Sequence, residues 1–241
     1  MIQKSQGIVL HSIRYGETSL IARIYTRQMG LQAYLVPGVR KARARVRHNL
    51  FQPLTPVDLV AYHKERGGLQ RIREIHCPEP YGSIPYEVVK SAIALFLAEV
   101  MLQSLHESDP NAPLFDHITG ALRFLDGHKG SVANFHLVFL LQYSRFMGFQ
   151  PRNNHDDAHA FFNLREGLFQ PVQEAGNDCL DREQSRLLHE VAMAGFEDLP
   201  DLHVPAPMRR VLLGKLLDYF RHHLSGVREI RSRQVLETVL H

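Results

Sequence analysis

Apolar and polar residues change their spacing once along this chain. Up to Ile75 they alternate, or gather in short apolar runs between glycine and proline turns. From Val89 onward they recur every three to four residues. Gly7 to Tyr15 is rich in β-branched and apolar residues and stops at Gly16. Ser19 to Arg27 sets Leu20, Ala22, Ile24 and Thr26 on one face against Ile21, Arg23, Tyr25 and Arg27 on the other. After the Met29-Gly30 turn, Leu31, Ala33 and Leu35 alternate with Gln32, Tyr34 and Val36, and Pro37-Gly38 closes the segment. Leu54 to His63 and Leu69 to Ile75 form a further pair, joined through Lys64 to Gly68. The pattern predicts five short antiparallel strands. So small a sheet must bury its edges by curling, and a five-stranded barrel of the OB type fits the count and the length.

The proline-rich passage from Cys77-Pro78-Glu79-Pro80 through Pro85 marks a boundary. Beyond it Val89, Ile93, Phe96, Leu97, Val100 and Leu105 stand at helical spacing. Ala112 to Asp126 predicts a second helix with Pro113 near its start and Gly127 past its end. A third carries Phe135, Val138, Phe139, Gln142 and Phe146, with Ser131 as a candidate cap. Residues 160–173 place two apolar runs around Arg165-Glu166-Gly167, which predicts a small hairpin. Asp181 with Gln184 is a capping box for a helix through Ala194. Pro207 opens a helix that stops at Gly226, and a short one runs from Ser232 to the end. The expected fold is α+β and multidomain: an OB-type β-barrel over 1–80, then a mostly α-helical domain over 81–241 with a hairpin-like insertion around 153–180.

Composition narrows the class. With 241 residues, 44% apolar and 22% charged, the chain suits one large domain or two ordinary ones and is not disordered. No run of about 18 apolar residues exists, and the opening is too interrupted for a secretory signal. The two cysteines, Cys77 and Cys179, cannot build a disulfide framework or a four-cysteine zinc site. The expectation is a cytoplasmic protein with reduced thiols and no cofactor or metal. The net charge of +3 hides an asymmetry: residues 1–80 hold 13 Lys/Arg against 5 Asp/Glu, and the remainder 15 against 20. A cationic part joined to an acidic part suggests a polyanion binder with a second task.

Four features are candidates for function. Arg40, Lys41, Arg43, Arg45 and Arg47 place five cations in eight residues after the third strand. Such a run repels itself unless a polyanion lies against it, and nucleic-acid phosphates are the obvious partner. Arg23, Tyr25, Arg27 and Tyr34 are expected to share the outward face of strands two and three, where an OB barrel holds oligonucleotides and aromatic rings stack on bases. Lys64, Arg66, Arg71 and Arg73 add charge around the last hairpin. Arg209, Arg210, Lys215, Arg221, Arg231 and Arg233 form a possible secondary basic surface near the C-terminus; solvated helix faces would look the same. His155, Asp156 and His159 are the densest histidine cluster among 15 histidines, and a metal-dependent phosphohydrolase is the enzymatic alternative. Pro151, Asn153 and Asn154 before it argue for a loop. There is no phosphate-binding glycine loop, no nucleophile elbow and no dinucleotide fingerprint, so a non-enzyme is expected. An RNA-binding OB protein stays open as well, because phosphate contacts do not separate RNA from DNA.

The opening GIVLHSIRYGETSLIARIYTRQMGLQAYLVPGVRK resembles the start of the RecO family of bacterial recombination mediators. The likeness lies in the Tyr15-Gly16-Glu17 strand end, the strand ending near Thr26, the Gly30 turn, and the Pro37-Gly38-Val39-Arg40 exit into a basic segment. The closing LLDYFRHHLSGVREIRSRQVL resembles the family's last helices. The resemblance implies an N-terminal OB fold and a helical C-terminal domain. It implies binding of single- and double-stranded DNA, annealing of complementary strands, and help in loading RecA onto DNA coated by single-strand-binding protein (SSB). RecR and the acidic C-terminal tail of SSB are the implied partners. Many members carry a four-cysteine zinc element. The corresponding stretch here, Asn153 to Cys179, holds only Cys179, so no zinc is expected.

Overall fold

Five strands close into a barrel in the order β1-β2-β3-β5-β4, with β4 returning to β1. They are β1 (Ile2–Tyr15), β2 (Ser19–Thr26), β3 (Gly30–Val36), β4 (Pro56–Tyr62) and β5 (Gln70–His76). The computed structural model describes residues 1–39, 48–63, 68–105 and 110–240. Closure depends on β1. Its first half pairs with β4 from Ile2↔Tyr62 to Ile8↔Pro56, and its second half with β2 from Gly7↔Thr26 to Tyr15↔Ser19. A register shift between Val9 and His11 lets it bend from one partner to the other. All neighbours are antiparallel except β3 and β5. β1 therefore starts five residues before the alternation suggests, because Ile2 to Gln6 is extended by pairing and not by apolar content.

Val9, Leu20, Ala22, Ile24, Tyr34, Val36, Val57, Leu59, Ala61 and Ile72 fill the barrel, with Phe51 added from a 3-10 turn (His48–Phe51). Ser12 Oγ donates to the Phe51 carbonyl at 3.1 Å and ties that turn to β1. Gly7 faces this interior: a Cβ there would lie 2.7 Å from Ile24 Cγ2 and 3.3 Å from methyls of Leu59 and Val57. Gly16 and Gly30 hold left-handed turns at φ 61° and 63°, which other residues rarely adopt.

The helices are α1 (Val88–Ser104), α2 (Ala112–Gly127), α3 (Phe135–Phe146), α4 (Arg182–Met193), α5 (Ala206–His223) and α6 (Ser232–Val239). A hairpin, β6 (Phe161–Asn163) with β7 (Leu168–Gln170), lies between α3 and α4. The chain forms two compact units, Met1–Asp126 and Gly127–His241. In the first, α1 packs on β1 and α2 on β2. The linker before α1 is fixed by the Asp126 carboxylate, which accepts from the backbone N–H groups of Gly82, Ser83 and Ile84 at 2.8–2.9 Å. In the second, α3 is buried on nearly every side, as a helix apolar all round must be. Its Phe135, Phe139 and Tyr143 stack in sequence onto Phe220 of α5. Asp181 caps α4 by accepting from Gln184 N at 2.8 Å. No helix among the described residues is long and apolar enough to cross a membrane.

Candidate nucleic-acid interface

The outward face of the barrel has two regions of different character. At the β2–β3 turn, Ile8, Tyr25 and Leu31 stand side by side across β1, β2 and β3, and all three are buried. Helix α2 covers Tyr25: the Phe115 ring lies 6.0 Å from that of Tyr25, and the Tyr25 hydroxyl donates to the carbonyl of Asn111, just before the helix, at 3.3 Å. Burial pushes the Tyr25 phenol up to about 12. Arg27 makes a two-pronged ion pair with Asp116 of α2, both bonds 2.9 Å. These bonds hold the Asp116 carboxyl below the usual range.

The second region is open. Successive register partners there are Ile13↔Ile21, Ile21↔Leu35, Leu35↔Arg71, Arg71↔Tyr62 and Tyr62↔Ile2. These residues alternate with the interior ones, so they form a continuous outward row around the barrel. Ile13 is 50% exposed, Tyr62 45% and Ile2 50%; Tyr15, two residues beyond Ile13, is 53% exposed. Large exposed apolar side chains in one row mark a contact surface. Arg71 and the exposed Arg14 have no ion pair among the described residues. His11, Arg23 and Ala33 form the next row inward.

This geometry corrects the expectation for the tyrosines. Tyr34 does not share a face with Arg23. It pairs with Ala22, points into the barrel and is wholly buried. Tyr25 is on the outward face as expected, but α2 covers it. Arg73 is exposed and pairs with its neighbour Glu74 at 3.3 Å, a contact of little strength in water. Arg40, Lys41, Arg43, Arg45, Arg47, Lys64 and Arg66 lie outside the described residues. The strands that flank them are placed: the end of β3, the end of β4 and the start of β5 meet at Leu35, Tyr62 and Arg71. Both basic segments thus depart beside this outward row. Tyr15 and Tyr62 were not singled out by the sequence. Their signal is parity with Ile13 and Val60 at strand ends, and it becomes legible only once register is known.

The C-terminal cations are mostly engaged locally. Arg221 pairs with Asp218 and Arg233 with Glu237, both at 2.6 Å. Lys215 donates to the Asn177 carbonyl at 2.5 Å. Half-buried Arg209 donates to Asn134 Oδ1, Leu240 O and Val204 O, all neutral acceptors. Arg210 and Arg231 are exposed.

The histidine cluster does not converge. His159 Nδ1 bonds Asp156 at 2.9 Å, while His155 packs on His189 and Phe169, 4.8 and 4.9 Å away. Among the described residues no three His, Cys, Asp or Glu side chains are placed to hold a metal ion. The stretch from Asn153 to Cys179 does not fit a zinc ion either. The Cys179 sulfur is buried and accepts from Gln170 Nε2 at 3.7 Å. Asn154 clamps β7 by donating to Phe169 O at 2.8 Å and accepting from Phe169 N at 3.0 Å.

Two family models match the chain: "Recombination protein O N terminal" over residues 1–81 and "Recombination protein O C terminal" over residues 86–234. Curated relatives include the DNA repair protein RecO of Bacteroides fragilis, 36% identical over 240 residues and 98% of each chain. That of Flavobacterium psychrophilum is 34% identical over 239 residues, again 98% of each chain. That of Porphyromonas gingivalis is 28% identical over 243 residues and 99% of each chain. None of these names states a catalytic activity.

Proposed function

The chain belongs to the RecO family of DNA repair proteins, and from that premise we propose that it is a non-enzymatic, DNA-binding recombination mediator. It holds single- and double-stranded DNA, anneals complementary strands, and assists loading of RecA on strands coated by SSB. The observation that carries this reading is the open row Ile2, Tyr62, Arg71, Leu35, Ile21 and Ile13, beside which both basic segments depart. Exposed rings take bases without regard to sequence, and cations alongside take phosphates and release their counterions. Neutralising the charge of two strands at one surface lowers their mutual repulsion and favours annealing. Arg23, Arg71, Arg73 and the cations of 40–47 and 64–66 are assigned to phosphate. The helical unit is assigned to protein partners, RecR and the acidic tail of SSB, whose charge suits a cationic rim.

The test is annealing of complementary oligonucleotides already covered by SSB, with and without its acidic tail. The protein should accelerate annealing, and removal of the tail should abolish the acceleration on covered strands alone. No acceleration on bare strands would refute the reading.

A further inference from the structure

The basic barrel carries one arginine that its own chain has already taken. Arg27 follows β2 directly, and its guanidinium is gripped by both oxygens of Asp116 at 2.9 Å. Neither side chain is buried; their exposures are 36% and 57%. The pair is therefore within reach of solvent, and a two-pronged guanidinium–carboxylate pair held within the chain competes with a backbone phosphate, which like the carboxylate carries one negative charge. The same helix covers Tyr25 through Phe115 and Asn111. So α2 takes both the ring and the cation beside the β2–β3 turn, while the row through Arg71 stays open.

We propose that Asp116 is a specificity-determining residue for nucleic-acid binding: it occupies Arg27 in place of a backbone phosphate and confines the strand to the open row. The inference rests on the reading of this barrel as a DNA-binding surface. Asp116 fixes how many phosphates are neutralised, and with that the affinity, the salt dependence and the length of strand covered. Weaker residence on each strand also suits a protein that must release its product after annealing.

The experiment is anisotropy of a fluorescent oligothymidylate titrated with the full chain across a potassium chloride series. Four proteins are compared: wild type, Asp116→Asn, Arg27→Ala and the double variant. Asp116→Asn should bind several-fold more tightly at low salt, with a log–log salt slope steeper by about 0.7, the value for one added phosphate contact on single strands. Arg27→Ala alone should keep the wild-type slope, and the double variant should match it. Melting curves check folding, and Asp116→Ala replaces Asp116→Asn if the latter does not fold. An unchanged slope in the Asp116 variant, a gain that survives loss of Arg27, or a shallower slope in Arg27→Ala alone overturns the inference. Failure of the wild type to bind the oligonucleotide at all overturns the underlying reading instead.

Discussion

Ala22 and Tyr34 face each other directly across β2 and β3, so the ring of Tyr34 fills the barrel interior over a small side chain. Truncation leaves a cavity in a closed sheet that cannot collapse easily. Tyr34→Ala should cost on the order of 3–5 kcal/mol of unfolding free energy. Tyr34→Phe should keep both the fold and the affinity for oligonucleotide, since the ring has no route to solvent. Urea unfolding and anisotropy of the same preparations separate the two; a specific loss of binding in Tyr34→Phe would place the ring at the surface.

The outward row makes the complementary prediction. Tyr15→Ala and Tyr62→Ala should leave the melting temperature nearly unchanged, because both rings are about half exposed. Each should weaken single-strand binding by about 1–3 kcal/mol if it stacks on a base. Arg71→Ala should instead flatten the salt slope by about 0.7. Equal binding by all three variants would move the nucleic acid off this row.

The phase of β3 explains why the site was only partly legible. Alternation was correct in β2, where Ile21, Arg23 and Tyr25 mark the outward side. In β3 the outward face is itself apolar: Leu31 is buried and Ala33 and Leu35 are half-buried, while Tyr34 and Val36 lie inside the barrel. Period two gives two faces but not which one looks inward, and apolar Leu31, Ala33 and Leu35 point to the wrong one. The turns at Gly16 and Gly30, the Asp181 cap and the β6–β7 hairpin were legible because each is fixed by neighbours in sequence. The Arg27–Asp116 pair was not, since 89 positions separate its members. The switch from strand to helix spacing likewise did not reveal that α1 and α2 join the barrel's compact unit.

Gly7 tests how tightly the barrel is filled. A methyl there meets the Ile24 methyl at 2.7 Å, well inside contact distance, with Leu59 and Val57 closing the other sides. Gly7→Ala should destabilise by about 1–3 kcal/mol through overpacking. Adding Ile24→Val, which trims that side chain, should recover part of the loss. Thermal unfolding of the single and double variants checks this, and an additive double variant would mean the clash is not with Ile24.

His189 on α4 gives a pH dependence. Burial lowers its pKa first, and the stacked His155 lowers it further, against a smaller upward pull from Glu190. The folded form then binds this proton less readily than the unfolded chain, whose histidine titrates near pH 6.5. Above about 6.5 both states are neutral and nothing is lost. As pH falls through the depressed folded value, protonation favours unfolding, so the melting temperature should drop on the acid side. NMR titration should put the His189 midpoint below 6.5, and His155→Ala should raise it. A midpoint at or above 6.5 would contradict the packing of the two rings.

The β6–β7 hairpin should stand without metal. Asn154 supplies both a donor and an acceptor to the backbone of Phe169, and Asn163 Oδ1 accepts from Arg165 N at 2.9 Å and Glu166 N at 3.2 Å. Asp178 anchors the far side through Arg165 at 2.6 Å and His222 at 3.0 Å. Side-chain amides and a carboxylate of the same unit thus meet polar groups that a folded loop must satisfy. Asn154→Ala strips two partners from buried Phe169 and should cost about 2 kcal/mol, within the range for unsatisfied backbone groups. Chelation has no ligand cluster to empty, so dialysis against EDTA should leave the melting curve where it was. Elemental analysis of the purified chain should find no stoichiometric zinc. One tightly held zinc per chain, with a melting temperature that falls on its removal, would show that the side-chain amides are not what holds the hairpin.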